Sequence, residues 1–349
     1  MADIDDILQR LGKKTRDRFR AASEITVERI PLASSGLTHG LNGGLGLGRQ
    51  TVVYGNKSAG KSSIMLQSIG LAQRQGKTCA WIDSENSFDP EWARALGVDT
   101  SQLIVSGAKA INDFASIGVE LMKAGVDVLV ADSISAMIPS TYFEKEDELK
   151  DGLEGTKQIG TASKELGIAV NKLNYANEKT SLVLISQVRN QFHTYGAALK
   201  PMGGQAVMFF SSTVIKLWSN AAEREQIMKE IPVGEKLIQR PVGRPVNWTI
   251  EYNKIGPPGG TGSYDFYYGG PRLGIDVIGE ALDLAELNGV VSRGGAWYTV
   301  FGERLQGRQR AIDWLKADET RVEKLLGELD GLGKLRTEED SEEFASVTN

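Results

Sequence analysis

Lys61 and Ser62 close the run Gly55-Asn56-Lys57-Ser58-Ala59-Gly60-Lys61-Ser62, which fits the phosphate-binding pattern G-x-x-x-x-G-K-[ST] without a substitution. Glycines in such a run let the backbone curl until its N–H groups point at phosphate oxygens, and a helix starting at its end adds a positive pole. Lys61 is then placed to reach β- and γ-phosphates, and the Ser62 hydroxyl to hold Mg²⁺. The alternative is a glycine-rich turn with a lysine facing solvent. Asp132 ends the apolar run from Val126 to Ala131, where a carboxylate completes an ATP site by holding the magnesium shell opposite Ser62. Glu85, just after another apolar run, is placed to orient and deprotonate the water that attacks a γ-phosphate. On position alone it reads equally well as a surface carboxylate.

These side chains need strands and helices to hold them. Thr51–Tyr54 reads as a strand and Ser63–Gln73 as a helix, so the motif follows a strand and opens a helix. Strands follow at Thr78–Asp83, Gln102–Ser106, Val126–Ser133 and Ser181–Gln187, with an amphipathic helix over Ile111–Ala124 and another that ends at Asn177 after the charged stretch Tyr142–Gly155. That alternation predicts an α/β fold with a mostly parallel, twisted sheet and helices on both faces. Val188 to Gly204 has no sustained period and interleaves Arg189, His193 and Lys200 with Phe192 and Tyr195. This mixture neutralises phosphates and stacks on single-stranded bases, and a flexible lid is the equal alternative. Val207–Trp218 and Val246–Asn253 read as further strands. From Gly274 a smaller unit is expected, with a helix over Val277–Leu287, a hairpin through Gly294–Tyr298, and helices over Arg308–Lys316 and Glu319–Leu329.

The 349 residues are 41% hydrophobic, ordinary for a globular chain. No apolar run approaches the ~20 residues of a membrane helix. Met1 to Ser23 mixes charge with apolar positions unlike a signal peptide, so a cytoplasmic protein is expected, in the host cytoplasm if a phage encodes it. The single cysteine, Cys79, sits in an apolar run and reads as a buried thiol. His39 and His193 make no ligand spacing, and zinc is not expected. The formal charge is −5, but five carboxylates crowd the end of the chain at Glu338, Glu339, Asp340, Glu342 and Glu343. The remainder is therefore balanced, and a basic groove for nucleic acid is compatible with it. Residues 2–12 suit a short amphipathic helix and Ile25–Ile30 a strand, an arm too small to fold alone that must dock on the core or on a neighbouring subunit.

The order of motifs resembles the RecA family of recombinases, in its bacterial or phage branch, with the UvsX-type phage proteins the nearest comparison. The resemblance is carried by GNKSAGKS at 55, WIDSENSFDPEWARALGVD at 81, VLVADS at 128, LISQVR at 184, GG at 203, NKI at 253 and GAWY at 295. It implies a polymerisation arm at 1–33, a RecA-type ATPase core at 34–273, a small α/β domain at 274–330 that gathers duplex DNA through Arg293, Arg304, Arg308 and Arg310, and a restraining acidic tail at 331–349. Within the core it makes Glu85 the catalytic carboxylate, aided by Lys61, and Gln187 the γ-phosphate sensor. Asp89 and Trp92 become the adenine contacts, with Trp replacing the usual Tyr. Ser63, Tyr252 and Tyr268 join residues 55–62 in the nucleotide set.

Lys254 matches a lysine that reaches the ATP of the adjacent subunit. The chain departs from the family at Tyr252, where a second such lysine is usual, and at Met208, where a basic residue is expected. Two DNA loops are implied, about Glu144–Lys157 and Arg189–Gly204, the second ending in Gly203 and Gly204. The implied activity is ATP-dependent homologous pairing and strand exchange in a helical filament on single-stranded DNA, with Mg²⁺, duplex DNA, single-strand-binding proteins and mediators as further partners. A ring-forming helicase of the same fold and an ATP-binding regulatory assembly that exchanges no strands are the rivals. Phe19-Arg20-Ala21-Ala22 also fits the short F-x-x-A polymerisation pattern of archaeal and eukaryotic recombinases, a match short enough to arise by chance.

Overall fold

The computed structural model describes residues 25–140, 155–189, 200–201, 204–219, 226–233, 236–269 and 273–333. The expected first helix, the F-x-x-A match, most of the first expected DNA loop and the acidic tail from 334 on lie outside them, while residues 331–333, expected in the tail, belong to the last helix. In chain order the elements are β1 (Arg29–Ile30), α1 (Ser35–Gly40), β2 (Leu45–Gly46), β3 (Gln50–Gly55), α2 (Lys61–Arg74), β4 (Cys79–Asp83), α3 (Pro90–Ala95), β5 (Leu103–Gly107), α4 (Ile111–Lys123) and β6 (Val128–Asp132). They continue with α5 (Gly155–Ala176), β7 (Ser181–Arg189), β8 (Lys200–Pro201), α6 (Gly204–Phe210), β9 (Thr213–Trp218), β10 (Ile227–Val233), β11 (Lys236–Asn253), β12 (Thr261–Tyr267) and β13 (Gly274–Ile275). The last are α7 (Val277–Leu287), β14 (Ser292–Gly294), β15 (Trp297–Val300), β16 (Glu303–Gln306), α8 (Arg308–Lys316) and α9 (Glu319–Gly333).

Six strands in the order β5-β4-β6-β7-β3-β9 run parallel, and β11, β12 and β13 extend the sheet antiparallel beyond β9. The central strands are apolar on both faces because both are covered. Along β3, Val53 packs into one layer with Ile64, Met65 and Ile69 of α2, while Val52 and Tyr54 pack into the other with Phe114 of α4 and Leu173 of α5. All the parallel strands end on one edge of the sheet, and there the candidate residues gather.

The structure corrects several sequence expectations. Val207–Trp218 is not one strand: residues 204–210 form α6 and only Thr213–Trp218 joins the sheet. A short apolar run fits either state, and here Val207 is buried in the α4–α5 layer while Gly167 of α5 leaves room for Ala206. The strand placed at Val246 begins at Lys236 and forms a long hairpin with β10. Of Ile25–Ile30 only β1 is paired, with β2. The expected hairpin near Trp297 is a three-stranded sheet, β14-β15-β16. With α7, α8 and α9 it encloses its own core of Leu282, Tyr298, Val300, Ile312, Leu315 and Leu325. α7 begins and ends where the sequence placed it.

Glu280 of α7 ties this unit to the core. Its carboxylate accepts from Ser34 Oγ at 2.5 Å, Ser35 N at 2.9 Å and Gly36 N at 3.1 Å, so it caps the start of α1. Cys79 is buried, and burial pushes its thiol up to about 12.

Candidate active site

The phosphate-binding run joins β3 to α2 as a tight loop. Gly60 immediately precedes α2 with φ +85°, a left-handed conformation that suits glycine. At Gly55 a Cβ would overlap the Leu217 carbonyl of β9. Lys61 is buried, and its Nζ donates to the carbonyls of Gly55 at 3.0 Å and Asn56 at 2.8 Å. Burial lowers its pKa, while the charges of Asp132 and Glu85 act the other way. Ser62 Oγ lies 2.5 Å from Asp132 Oδ2, so the two oxygens expected at a magnesium site are in contact. Asp132 is buried at the end of β6, and burial raises its carboxyl to about 6 against the Ser62 hydrogen bond. Ser63 follows as the third residue of α2.

Glu85 stands beyond β4, which β6 separates from the loop's neighbour β7. Its Oε1 accepts from Ser133 Oγ at 2.5 Å and from Gln187 Nε2 at 2.9 Å. Gln187 lies level with Gly55 in the parallel β3–β7 pairing, and its backbone N–H donates to Ser135 Oγ at 2.8 Å. Thus Lys61, Ser62, Asp132, Glu85 and Gln187 converge at one end of the sheet. Three supporting residues were not singled out from sequence. Asp83 accepts from the amides of Glu85, Ser87 and Phe88 and so shapes the turn that carries Glu85; Ser133 and Ser135 supply the hydroxyls just described. An Asp two residues before Glu85 carries the signal of such a turn, whereas the serines gain meaning only from the packing.

Asp89 caps α3, accepting from the amides of Glu91 at 2.8 Å and Trp92 at 3.3 Å. The Trp92 ring packs edge-on against Phe266 of β12, with centroids 6.4 Å apart. Tyr268 follows two residues after Phe266, and its N–H donates to Val242, which puts it on the phosphate-loop edge with Asp89 and Trp92. Arg244 of β11 donates from Nη2 to the Ser58 carbonyl, a contact with no forewarning in the sequence.

Tyr252 and Lys254 are elsewhere. Asn253 pairs with Thr213, at the start of β9, while the phosphate loop leaves the opposite end, where Gly55 pairs with Leu217. Four residues of strand, about 13 Å, separate the two levels. Lys254 Nζ donates to the Phe209 carbonyl at 2.9 Å and stands over the rings of Tyr252 and Phe209. These are exposed, Tyr252 at 43% and Phe209 at 76%. Met208 is partly buried against the α4–α5 layer.

β7 continues past Gln187 to Arg189, and β8 returns antiparallel with Arg189 level with Lys200. Gly204 begins α6. Phe192, His193, Tyr195 and Gly203 lie outside the described residues. In the C-terminal unit Arg308 is engaged by both oxygens of Asp283 at 2.8 Å, while Arg304 stacks over exposed Trp297 and Arg293 over Tyr298. Among the described residues no helix is long and apolar enough to cross a membrane.

Residues 1–270 match the family model described as the RecA N-terminal domain, and residues 279–329 match the RecA C-terminal domain. Among curated relatives, a Protein RecA from Chlorobaculum tepidum is 35% identical over 91% of this chain and 87% of its own length. One from Saccharopolyspora erythraea is 31% identical over 95% and 92%, and one from Haemophilus ducreyi is 32% identical over 95% and 85%.

Proposed function

The chain belongs to the RecA family of recombinases, and from that premise we propose that it is a DNA-stimulated ATPase that polymerises on single-stranded DNA and catalyses homologous pairing and strand exchange. The observation that carries this reading is the course of β7. Gln187 stands beside the phosphate loop and bonds Glu85; two residues later the strand reaches Arg189, where the basic and aromatic segment leaves. One rigid strand thus connects the hydrolytic carboxylate to the DNA segment.

The loop amides of residues 55–62 would cradle the phosphates of ATP, and Lys61 would exchange its two carbonyl partners for β- and γ-phosphate oxygens. Ser62 and Asp132, hard oxygens already in contact, fit the donor set Mg²⁺ prefers. When bound there, the ion neutralises phosphate charge. Glu85, steadied by Ser133, orients the attacking water and takes its proton. Gln187 offers an amide that can leave Glu85 for the γ-phosphate, so nucleotide state is read at the root of the DNA segment. Asp89, Trp92 and Tyr268 flank the adenine.

Tyr252 and Lys254, at the far end of the sheet, suit contact with the nucleotide of a neighbouring copy in a head-to-tail filament. Residues 1–33 serve as the polymerisation arm, and 274–330 gather duplex DNA, with Arg293 and Arg304 better placed than Arg308. The tail restrains that unit. Single-strand-binding and mediator proteins complete a cytoplasmic pathway of recombination and repair.

ATP hydrolysis by wild type and Glu85→Gln, with and without single-stranded DNA and with DNA affinity measured in parallel, tests the reading. Wild-type turnover should rise with DNA, and the variant should lose turnover while holding DNA more tightly in ATP. Turnover indifferent to DNA, with no DNA binding by either protein, would leave a regulatory ATPase; closed rings that translocate would point to a helicase.

A further inference from the structure

β11 runs past the end of β9 and alongside the phosphate loop. Asn247 still pairs with Trp218, and Arg244 lies three residues beyond it, paired with Phe266 of β12. From there its Nη2 donates to the Ser58 carbonyl. Ser58 has φ +62°, a left-handed conformation uncommon for serine. The C=O of Ser58 and the N–H of Ala59 belong to one planar peptide and point in opposite directions. A donor that holds the carbonyl from outside therefore aims the Ala59 N–H inward. That amide does point inward, donating to the Asn56 carbonyl at 3.1 Å, and Lys61 Nζ donates to the same oxygen at 2.8 Å. Two donors thus converge on one oxygen inside the loop, where a phosphate oxygen would satisfy both.

The guanidinium has spare capacity. Among the described residues its buried Nε has no hydrogen-bond partner and no carboxylate forms an ion pair with the group. A positive charge left uncompensated beside a phosphate loop favours polyanionic ligands. The same strand pair supports the loop further along, since Val246 and Tyr264 lie under Gly60.

We infer that Arg244 is a positioning residue for nucleoside di- and triphosphates: by holding the Ser58 carbonyl it aims the Ala59 amide at the phosphates and places a positive charge behind the loop. The inference rests on the ATP reading above and adds a residue supplied by β11 of the same chain. A hydrogen bond from a charged donor contributes enough that its loss should weaken phosphate binding about tenfold.

Calorimetric titration of the full chain with ADP and ATP, and with adenosine by competition, on wild type, Arg244→Gln and Arg244→Lys tests this. The glutamine variant should bind ADP and ATP about tenfold more weakly and adenosine unchanged, with the KM for ATP rising more than kcat falls. The lysine variant keeps one donor and the charge, and should recover part of the loss. Wild-type affinity for ADP in Arg244→Gln, or equal losses for ADP and adenosine, overturns the inference. Should the glutamine variant not fold, Arg244→Lys carries the test, with an ADP-specific loss of about threefold expected and no loss overturning it. Wild-type protein that binds neither nucleotide would instead defeat the ATP reading.

Discussion

Gln187→Ala separates the bond that one amide makes to Glu85 from the signalling role proposed for it above. Glu85 Oε1 is held by Ser133 Oγ at 2.5 Å and by Gln187 Nε2 at 2.9 Å. A hydrogen bond to a carboxylate is worth about 1.5–3 kcal/mol when shielded. Glu85 is exposed, which brings the Gln187 bond nearer ~1 kcal/mol. If Gln187 must leave Glu85 before the water can be activated, deleting the amide removes that cost, and turnover without DNA should rise about fivefold. If the segment after Arg189 binds DNA as proposed, the variant also loses the link from that segment to Glu85, and stimulation by single strands should fall close to unity. Ser133→Ala provides the contrast: it loosens the carboxylate without touching β7, so turnover should drop in both conditions and the ratio should persist. A coupled ATPase assay with and without single strands, with DNA anisotropy in ATP and in ADP, reads all four quantities. A Gln187→Ala protein with wild-type basal turnover and intact stimulation would refute the reasoning.

Three further predictions use other parts of the molecule. Phe114, fully buried between α4 and α5, should cost about 3–5 kcal/mol of unfolding free energy when changed to Ala, measured by urea titration; a loss below ~1 kcal/mol would mean that the layer closes over the cavity. Glu280 is raised by burial to about 7 from 4.5, against hydrogen bonds from Ser34, Gly36 and Ser35. A carboxyl raised on folding contributes stability that is complete below its unfolded value and lost as pH rises through the folded one. Glu280→Gln cannot ionise, so between pH ~5 and ~8 its melting temperature should fall less steeply than that of wild type, and parallel slopes would contradict this. If Lys254 completes the site of a neighbour, Lys61→Ala and Lys254→Ala should each be inactive alone and recover up to about a quarter of wild-type turnover when mixed, since random neighbours form one competent junction in four; no recovery would assign Lys254 to its own chain.

What the sequence revealed was what depends on near neighbours. The phosphate-binding run is legible because its glycines, lysine and serine act through eight consecutive residues, and Asp132 because it ends an apolar strand at a parallel sheet's functional edge. α7 was legible residue by residue, since its apolar period is bounded by Asp276 and Asn288. α6 was not, because Val207, Phe209 and Phe210 suit a strand and only packing on α5 makes them a helix. The early half of β11 was hidden by Pro241 and Gly243, which the hairpin with β10 accommodates, and by Pro245, which pairs with Asp265 of β12; all three weaken a strand signal. Arg244 stands 186 residues from the carbonyl it holds. Nothing in its own neighbourhood announces that partner, and Ser133 is silent about Glu85 for the same reason.

The side chains of a strand alternate between its faces, which has a consequence for how β7 can vary. Gln187 and Arg189 are two residues apart on β7, one full repeat of the strand, and Arg189 pairs with Lys200 of β8. One residue added between Gln187 and Arg189 would turn over the root of the segment after Arg189 while leaving Gln187 in place. Two residues, or any number beyond Arg189 and before Lys200, would leave the orientation of the root intact. If the segment after Arg189 binds DNA as proposed, its length is free to drift among relatives or in engineered chains, but the parity of the stretch between Gln187 and Arg189 is not.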